Sequence, residues 1–363
     1  MRISELETPA ILIEVDIMEA NLRRVAAYAS QHGLRLRPHT KTHKIPALGA
    51  KQVALGAVGL TVAKVGEAEV LIESGTPDLL VAYPVIGRSK LDRLMRLARK
   101  TRITVAVDSL TAAAQLSDAA RAAQVQVGAL VEVDVGLGRV GVAPVDLPGL
   151  AKAIGNLPHL EYLGFTFYPG HIKQMDEAGE AALKRLSELV AAMASECKAV
   201  GVPAQIVSGG STPALYHSHR VEGLTEMRPG TYIFNDRNTA EAGGCAWADC
   251  AATILTTVVS TRPGHMIVDG GSKTFSSDRN SGAGDPTFGL VREAPGALFH
   301  KMNEEHGYID LRRAERQDFT IGDRVRILPN HICVAMNLHE QVYGVRGEDV
   351  VEVWKVAARG KLQ

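Results

Sequence analysis

Three stretches of the sequence carry side chains whose types and spacing suit chemistry. Residues 35–46 read R-L-R-P-H-T-K-T-H-K-I-P, with Arg37, His39 and Lys41 at every second position, then His43 and Lys44. If this run ends a β-strand, that spacing turns Arg37, His39 and Lys41 to one side. Two glycine loops follow far downstream, S-G-G-S-T-P (208–213) and R-P-G-T-Y (228–232). Glycine admits close backbone approach, and the exposed N–H groups and hydroxyls there can cradle an anion. Near the end, L-P-N-H-I-C sets His331 two residues from Cys333, on one face if the run is a strand. Imidazole with thiolate favours zinc among divalent ions, and two ligands leave coordination positions open for water and substrate. Taken singly, each stretch also has a plain reading: a solvated basic loop, a βα turn, a buried cysteine beside a histidine.

The elements that must position these groups come in two textures. From residue 17 to 239, short apolar runs alternate with helical segments. The runs are LRLRPH, GLTVAK, DLLVAY, RITVAVD, ALVEVDVG, LEYLGFTFY, AQIVSGG and EMRPGTYIF, and segments such as SKLDRLMRLARK separate them. Eight strand–helix units predict a (β/α)8 TIM-type barrel. From 240 to 363, β-branched runs such as CAATILTTVVSTRP, HMIVDGG, RVRILP and VVEVWKV predict an all-β domain, which the opening strand within residues 1–16 is expected to join. In such a barrel the strands' C-terminal ends carry the active site, and phosphates bind after the seventh and eighth strands. The two glycine loops follow those strands. A lysine at the first strand's end plus a phosphate cradle points to pyridoxal 5'-phosphate, whose aldehyde condenses with a lysine amine.

Composition narrows the partners. The 363 residues hold 40 basic and 40 acidic side chains, so no bulk field attracts nucleic acid or an anionic membrane. No apolar run approaches the roughly 20 residues that cross a bilayer. The N-terminus lacks a signal peptide's apolar core, and four cysteines make no disulfide framework. A cytoplasmic protein is the expectation. Trp247 and Trp354 are read as packing residues.

Together these residues resemble the D-threonine aldolase / D-serine dehydratase family of alanine-racemase-like, fold-type III pyridoxal-phosphate enzymes. R-P-H-T-K-T-H-K, V-E-V-D-V-G-L-G-R-V-G-V, S-G-G-S-T-P, E-M-R-P-G-T-Y-I-F-N-D and L-P-N-H-I-C carry the likeness along essentially the whole chain. The resemblance implies that Lys41 is the Schiff-base lysine, with His39 in the same cofactor-binding run. It implies that Arg139 and Tyr168 flank the cofactor ring and that Gly210, Ser211, Thr212, Gly230 and Thr231 hold the phosphate. It makes His331 and Cys333 the ligands of a divalent metal (Zn, Mn or Mg) that meets the substrate's β-hydroxyl. It also implies a homodimer, with the active site between one subunit's barrel and the other's β-domain.

The implied activity is a lyase acting on D-3-hydroxy amino acids, with retro-aldol cleavage of D-threonine-like substrates to glycine and an aldehyde. The alternative is a D-serine, D-threonine or 3-hydroxyaspartate-type dehydratase giving a 2-oxo acid and ammonia, and an amino-acid racemase stands third. Two departures bear on the choice. Aldolases of the family carry H-x-D where this chain has H-x-C, and they place a histidine where this chain has Gln174. His171, in Y-P-G-H-I-K-Q, is the substitute expected to handle the β-hydroxyl proton.

Overall fold

The computed structural model describes residues 1–280 and 286–363. The chain opens with strand β1 (Ala10–Glu14) and a helix, Val15–Gln31. Eight parallel strands follow: β2 (Arg35–Leu36), β3 (Leu60–Val62), β4 (Asp78–Val81), β5 (Arg102–Val107), β6 (Val127–Val133), β7 (Leu160–Phe167), β8 (Ile206–Gly209) and β9 (Glu226–Met227). They lie in the order β2-β9-β8-β7-β6-β5-β4-β3. The ring closes where Thr61 donates its N–H to the Pro38 carbonyl and Thr40 donates to the Thr61 carbonyl, both at 2.8 Å. All eight expected strands are present in a TIM-like barrel. Their runs are mostly apolar because barrel strands are covered on both faces, and every residue of β6, V-G-A-L-V-E-V, is buried, Glu132 included.

Two of the strands are shorter than their patterns suggest. β2 stops at Leu36 before Pro38, and β9 stops at Met227 before Pro229 and Gly230. Proline cannot donate to a ladder, and Thr231–Ile233 forms a 3₁₀ turn instead of extending the strand.

At the N-terminal ends of the strands, charge is matched inside the barrel. The Arg37 guanidinium donates to Glu226 Oε2 at 2.9 Å and to Asp78 Oδ1 at 2.8 Å, while Ser208 Oγ donates to Glu226 Oε1 at 2.7 Å. Arg37 and Glu226 are buried, so each needs the other to offset the cost of leaving water.

The remaining strands form one nine-stranded, mostly antiparallel sheet. These are β1 together with β10 (Ala252–Arg262), β11 (His265–Val268), β12 (Gly289–Val291), β13 (Leu298–Met302), β14 (Gly307–Asp310), β15 (Arg324–Pro329), β16 (Gln341–Arg346) and β17 (Asp349–Lys355). Its main path runs β13-β14-β11-β10-β1-β16-β17, and β15 joins β10 to β12. β1 lies in the middle, antiparallel to β10 and parallel to β16, with Leu12 opposite both Thr253 and Tyr343. Ile11, Leu12 and Ile13 are fully buried, each stabilising the sheet by about 1.5–3 kcal/mol. Trp354 is buried as expected; Trp247 is half exposed and is not a core residue.

By internal contacts the chain divides into two compact units. The barrel unit comprises Arg23–Lys41, Ile45–Gly230 and Lys361–Gln363. The β unit comprises Met1–Leu22, Thr42–Lys44 and Thr231–Gly360. No helix among the described residues is long and apolar enough to cross a membrane.

Candidate active site

In the barrel unit, Arg37, His39 and Lys41 do not share one side as their spacing suggested. The chain stays beside β9 as far as His39, whose N–H donates to the Pro229 carbonyl at 2.9 Å. It then turns at Thr40, and the alternation ends there. Arg37 runs to the strand starts, whereas the exposed Lys41 ammonium lies 5.8 Å from the centroid of the Tyr168 ring, just past β7. His39 Nδ1 accepts the Lys41 backbone N–H at 3.3 Å, which fixes the turn that presents the lysine.

Arg139 meets the same Tyr168 ring, its guanidinium carbon 5.2 Å from the centroid. The loop that carries it is held by Asp134, whose Oδ1 accepts N–H groups from Gly136 and Leu137 at 2.9 Å and Gly138 at 3.1 Å. The N–H groups of Gly136 and Gly138 hold the Asp134 carboxyl below the usual carboxylate range. Gly170 packs so tightly on Tyr168 that an added Cβ would fall 2.5 Å from the ring, so only glycine fits there. Tyr168 is thus a platform with two cations turned to it. His171 is exposed, with its ring against Gly136.

Past β8, Gly210 adopts φ +97°, a conformation that favours glycine, and sends the chain through Ser211 and Thr212, both buried. The Ser211 hydroxyl is buried without a hydrogen-bond partner, as are Thr166 Oγ1 on β7 and Arg228 Nε past β9. Such groups are costly unless something satisfies them. Gly230 is buried in the second loop. The Thr231 hydroxyl, expected beside the phosphate, instead lies 3.7 Å from Cys333 Sγ within the β unit. Glu132 on β6 is also buried, and desolvation pushes its carboxyl up to about 7 although Arg228 and Arg139 draw it down.

In the β unit, His331 and Cys333 are not on a strand. β15 ends at Pro329, His331 caps the helix Ile332–Leu338, and Cys333 sits in its first turn. The two side chains still meet: Cys333, opposed by burial and aided by Asp236, pushes the imidazole up to about 11. Thr42 Oγ1 lies 3.2 Å from Cys333 Sγ, and Thr42 follows Lys41 in the chain. Lys44 takes φ +58° and its carbonyl accepts the Ala358 N–H at 3.0 Å; His43 is fully buried. Among the described residues, no group of three or more His, Cys, Asp or Glu side chains is gathered to hold a metal. One imidazole and one thiol form a donor pair that suits a borderline-soft divalent ion with positions to spare.

Sequence reasoning missed Asp134, Glu132, Arg228 and Asp236. Asp236 caps the helix Arg237–Glu241, and an aspartate before a helical run is a readable signal. Its second contact is not readable: Oδ2 lies 2.9 Å from His331 Nδ1, 95 residues away.

Comparison with known proteins gives one family. Residues 13–238 match the alanine racemase N-terminal domain, and residues 251–345 match a putative serine dehydratase domain. The chain is 32% identical over 366 residues to a D-threonine aldolase from an Arthrobacter species, covering 99% of this chain and 94% of that one. It superposes on the crystal structure of D-threonine aldolase from Filomicrobium marinum with a TM-score of 0.93 and 30% identity, covering 100% and 98% of the two chains. A metal-free cysteine-to-alanine mutant of D-threo-3-hydroxyaspartate dehydratase superposes with a TM-score of 0.90 and 30% identity, covering 98% of each chain.

Proposed function

We propose that this chain, which belongs to the alanine-racemase-fold family of D-threonine aldolases and 3-hydroxyaspartate dehydratases, is a lyase that cleaves D-3-hydroxy amino acids. Its substrates are of the D-threonine type, its products glycine and an aldehyde, and it uses pyridoxal 5'-phosphate with a divalent metal. The observation that carries this reading is the convergence of Lys41 and Arg139 on Tyr168 at the C-terminal side of the barrel. The orphaned Ser211 hydroxyl beside Gly210 fits a phosphate that would accept its hydrogen bond. When bound, the cofactor supplies an electron sink for the bond broken at Cα, and the metal supplies a Lewis acid to the β-hydroxyl.

Lys41 would hold the cofactor covalently, its turn fixed by His39. Arg139 and Tyr168 would orient the ring, and Gly210, Ser211, Thr212, Gly230 and Thr231 would surround the phosphate, Thr231 through its backbone. His331 and Cys333 would hold the metal, whose identity the thiol biases toward zinc over manganese or magnesium. His171 would take the β-hydroxyl proton. The assembly we infer is a homodimer, which mass measured in solution tests.

Dehydration to a 2-oxo acid and ammonia is the second reading, favoured by Cys333 in the metal pair and by Gln174 in place of a histidine. Product analysis from D-threonine tests both. Acetaldehyde and glycine support the aldolase; 2-oxobutanoate and ammonia replace it with the dehydratase. Lys41→Ala should abolish both the cofactor's absorbance band and turnover, and full retention of either would remove Lys41 from the site.

A further inference from the structure

The Asp236 carboxylate is enclosed in the β unit and its side chain is 1% exposed. Its Oδ1 accepts the Thr239 N–H at 2.9 Å and the Thr239 hydroxyl at 2.6 Å. Its Oδ2 accepts the Ile332 N–H at 3.2 Å and lies 2.9 Å from His331 Nδ1. The Cys250 thiol donates to the Asp236 carbonyl at 3.6 Å and steadies the residue from a second direction. An ionised carboxylate accepts and cannot donate, and the two backbone groups around it can only donate. His331 Nδ1 therefore has one way to complete the set, as an N–H donor. An imidazole that binds a metal must be unprotonated at the binding nitrogen, and with Nδ1–H given to Asp236 that nitrogen is Nε2.

We propose that Asp236 is a positioning residue that selects Nε2 of His331 as the metal-binding nitrogen and fixes the direction in which it points. This rests on the reading of His331 and Cys333 as metal ligands. Carboxylates behind metal-bound histidines act this way in general: they set the tautomer and the ring orientation, and their loss weakens metal binding. Asp236 does more than cap a short helix, because its two oxygens divide the tasks. Oδ1 serves the helix start, and Oδ2 serves the junction between β15 and the next helix, where His331 lies.

Asp236→Asn separates the two roles. Asparagine is as good an N-cap as aspartate, so a residue that only capped would tolerate the change. But asparagine has one acceptor oxygen where aspartate has two. With that oxygen kept for Thr239, the amide NH₂ faces His331, forces Nδ1 to accept, and moves the ring proton onto Nε2. Zinc binding by calorimetry should weaken about 10- to 100-fold in Asp236→Asn. Its barrel cofactor absorbance should stay close to wild type, while the zinc-free protein should melt modestly lower, because the Ile332 N–H then faces the amide NH₂ in place of Oδ2. Asp236→Asn that binds zinc as tightly as wild type overturns the proposal while leaving the metal pair standing. Wild-type protein that takes up no zinc overturns both. Should the variant not fold, ¹⁵N-histidine spectra of zinc-loaded wild type decide: a protonated Nδ1 with metal-shifted Nε2 supports the assignment, and a metal-shifted Nδ1 refutes it.

Discussion

The two ends of the barrel strands treat polar side chains in opposite ways. At the N-terminal ends, Arg37 is shared by Glu226 and Asp78, and Arg102 lies 3.8 Å from Asp78 and 3.3 Å from Glu161. At the C-terminal ends, Thr166 Oγ1, Ser211 Oγ and Arg228 Nε are buried with nothing to bond. Unsatisfied buried groups are costly, and at the C-terminal ends of barrel strands a bound ligand can offset them. One end has its charges matched within the fold; the other leaves polar groups that a ligand could satisfy.

Breaking the closed end should cost most. Arg37→Ala strands the Glu226 carboxylate without its cation, and the loss of one partner from a buried pair costs about 3–5 kcal/mol. Urea melts should register that loss, while any folded fraction should keep the cofactor's absorbance band.

Glu132 sharpens the contrast at the open end. Its folded carboxyl, raised by burial to about 7, binds a proton more tightly than the unfolded chain does. Between the unfolded value near 4.5 and about 7, the native state thus carries more protons, so stability must fall as pH rises. Glu132→Gln should flatten that slope in the cofactor-free protein, recovering on the order of 2 kcal/mol at pH 8 relative to pH 5. Identical wild-type and variant pH profiles would show that Glu132 is paired more fully than its surroundings indicate.

Ser211→Ala should leave the melting temperature of the cofactor-free protein nearly unchanged, because no bond is removed. Cofactor affinity, by equilibrium dialysis, should drop roughly tenfold, the worth of one hydrogen bond to a charged group. The smallest effect belongs to Glu161→Gln. Its pair with Arg102 is half exposed at both partners, and its removal should shift stability by about 0.5 kcal/mol or less.

The barrel was legible because its strands are short apolar runs bounded by glycine, proline and charge, a pattern that burial on both faces imposes. The reading failed where a local rule met a distant partner. Arg37 appeared to belong with Lys41, but Glu226, 189 residues on, holds it at the other end of the barrel. The helix Ile332–Leu338 was hidden because I-C-V-A-M-N-L, apolar at all but Asn337, shows no period that separates strand from helix. The proline and asparagine before His331 were the signal that the strand had ended. The candidates for lysine, phosphate and metal chemistry could be named from residue type and spacing. The contacts of Asp134 with the Gly136–Gly138 loop and of Asp236 with His331 could not be read without the fold.

The central place of β1 has a consequence for synthesis. Its partners lie at residues 252–255 and 343–345, so β1 must wait for both segments to leave the ribosome before it can pair. At 5–20 residues per second that delay is on the order of tens of seconds. Throughout it, A-I-L-I-E is an unpaired apolar edge, the kind of segment that chaperones shield and that aggregates when they do not. Slow or stalled translation of the last third should therefore send this protein to inclusion bodies, and circular permutation that places β1 after β17 should lower that risk.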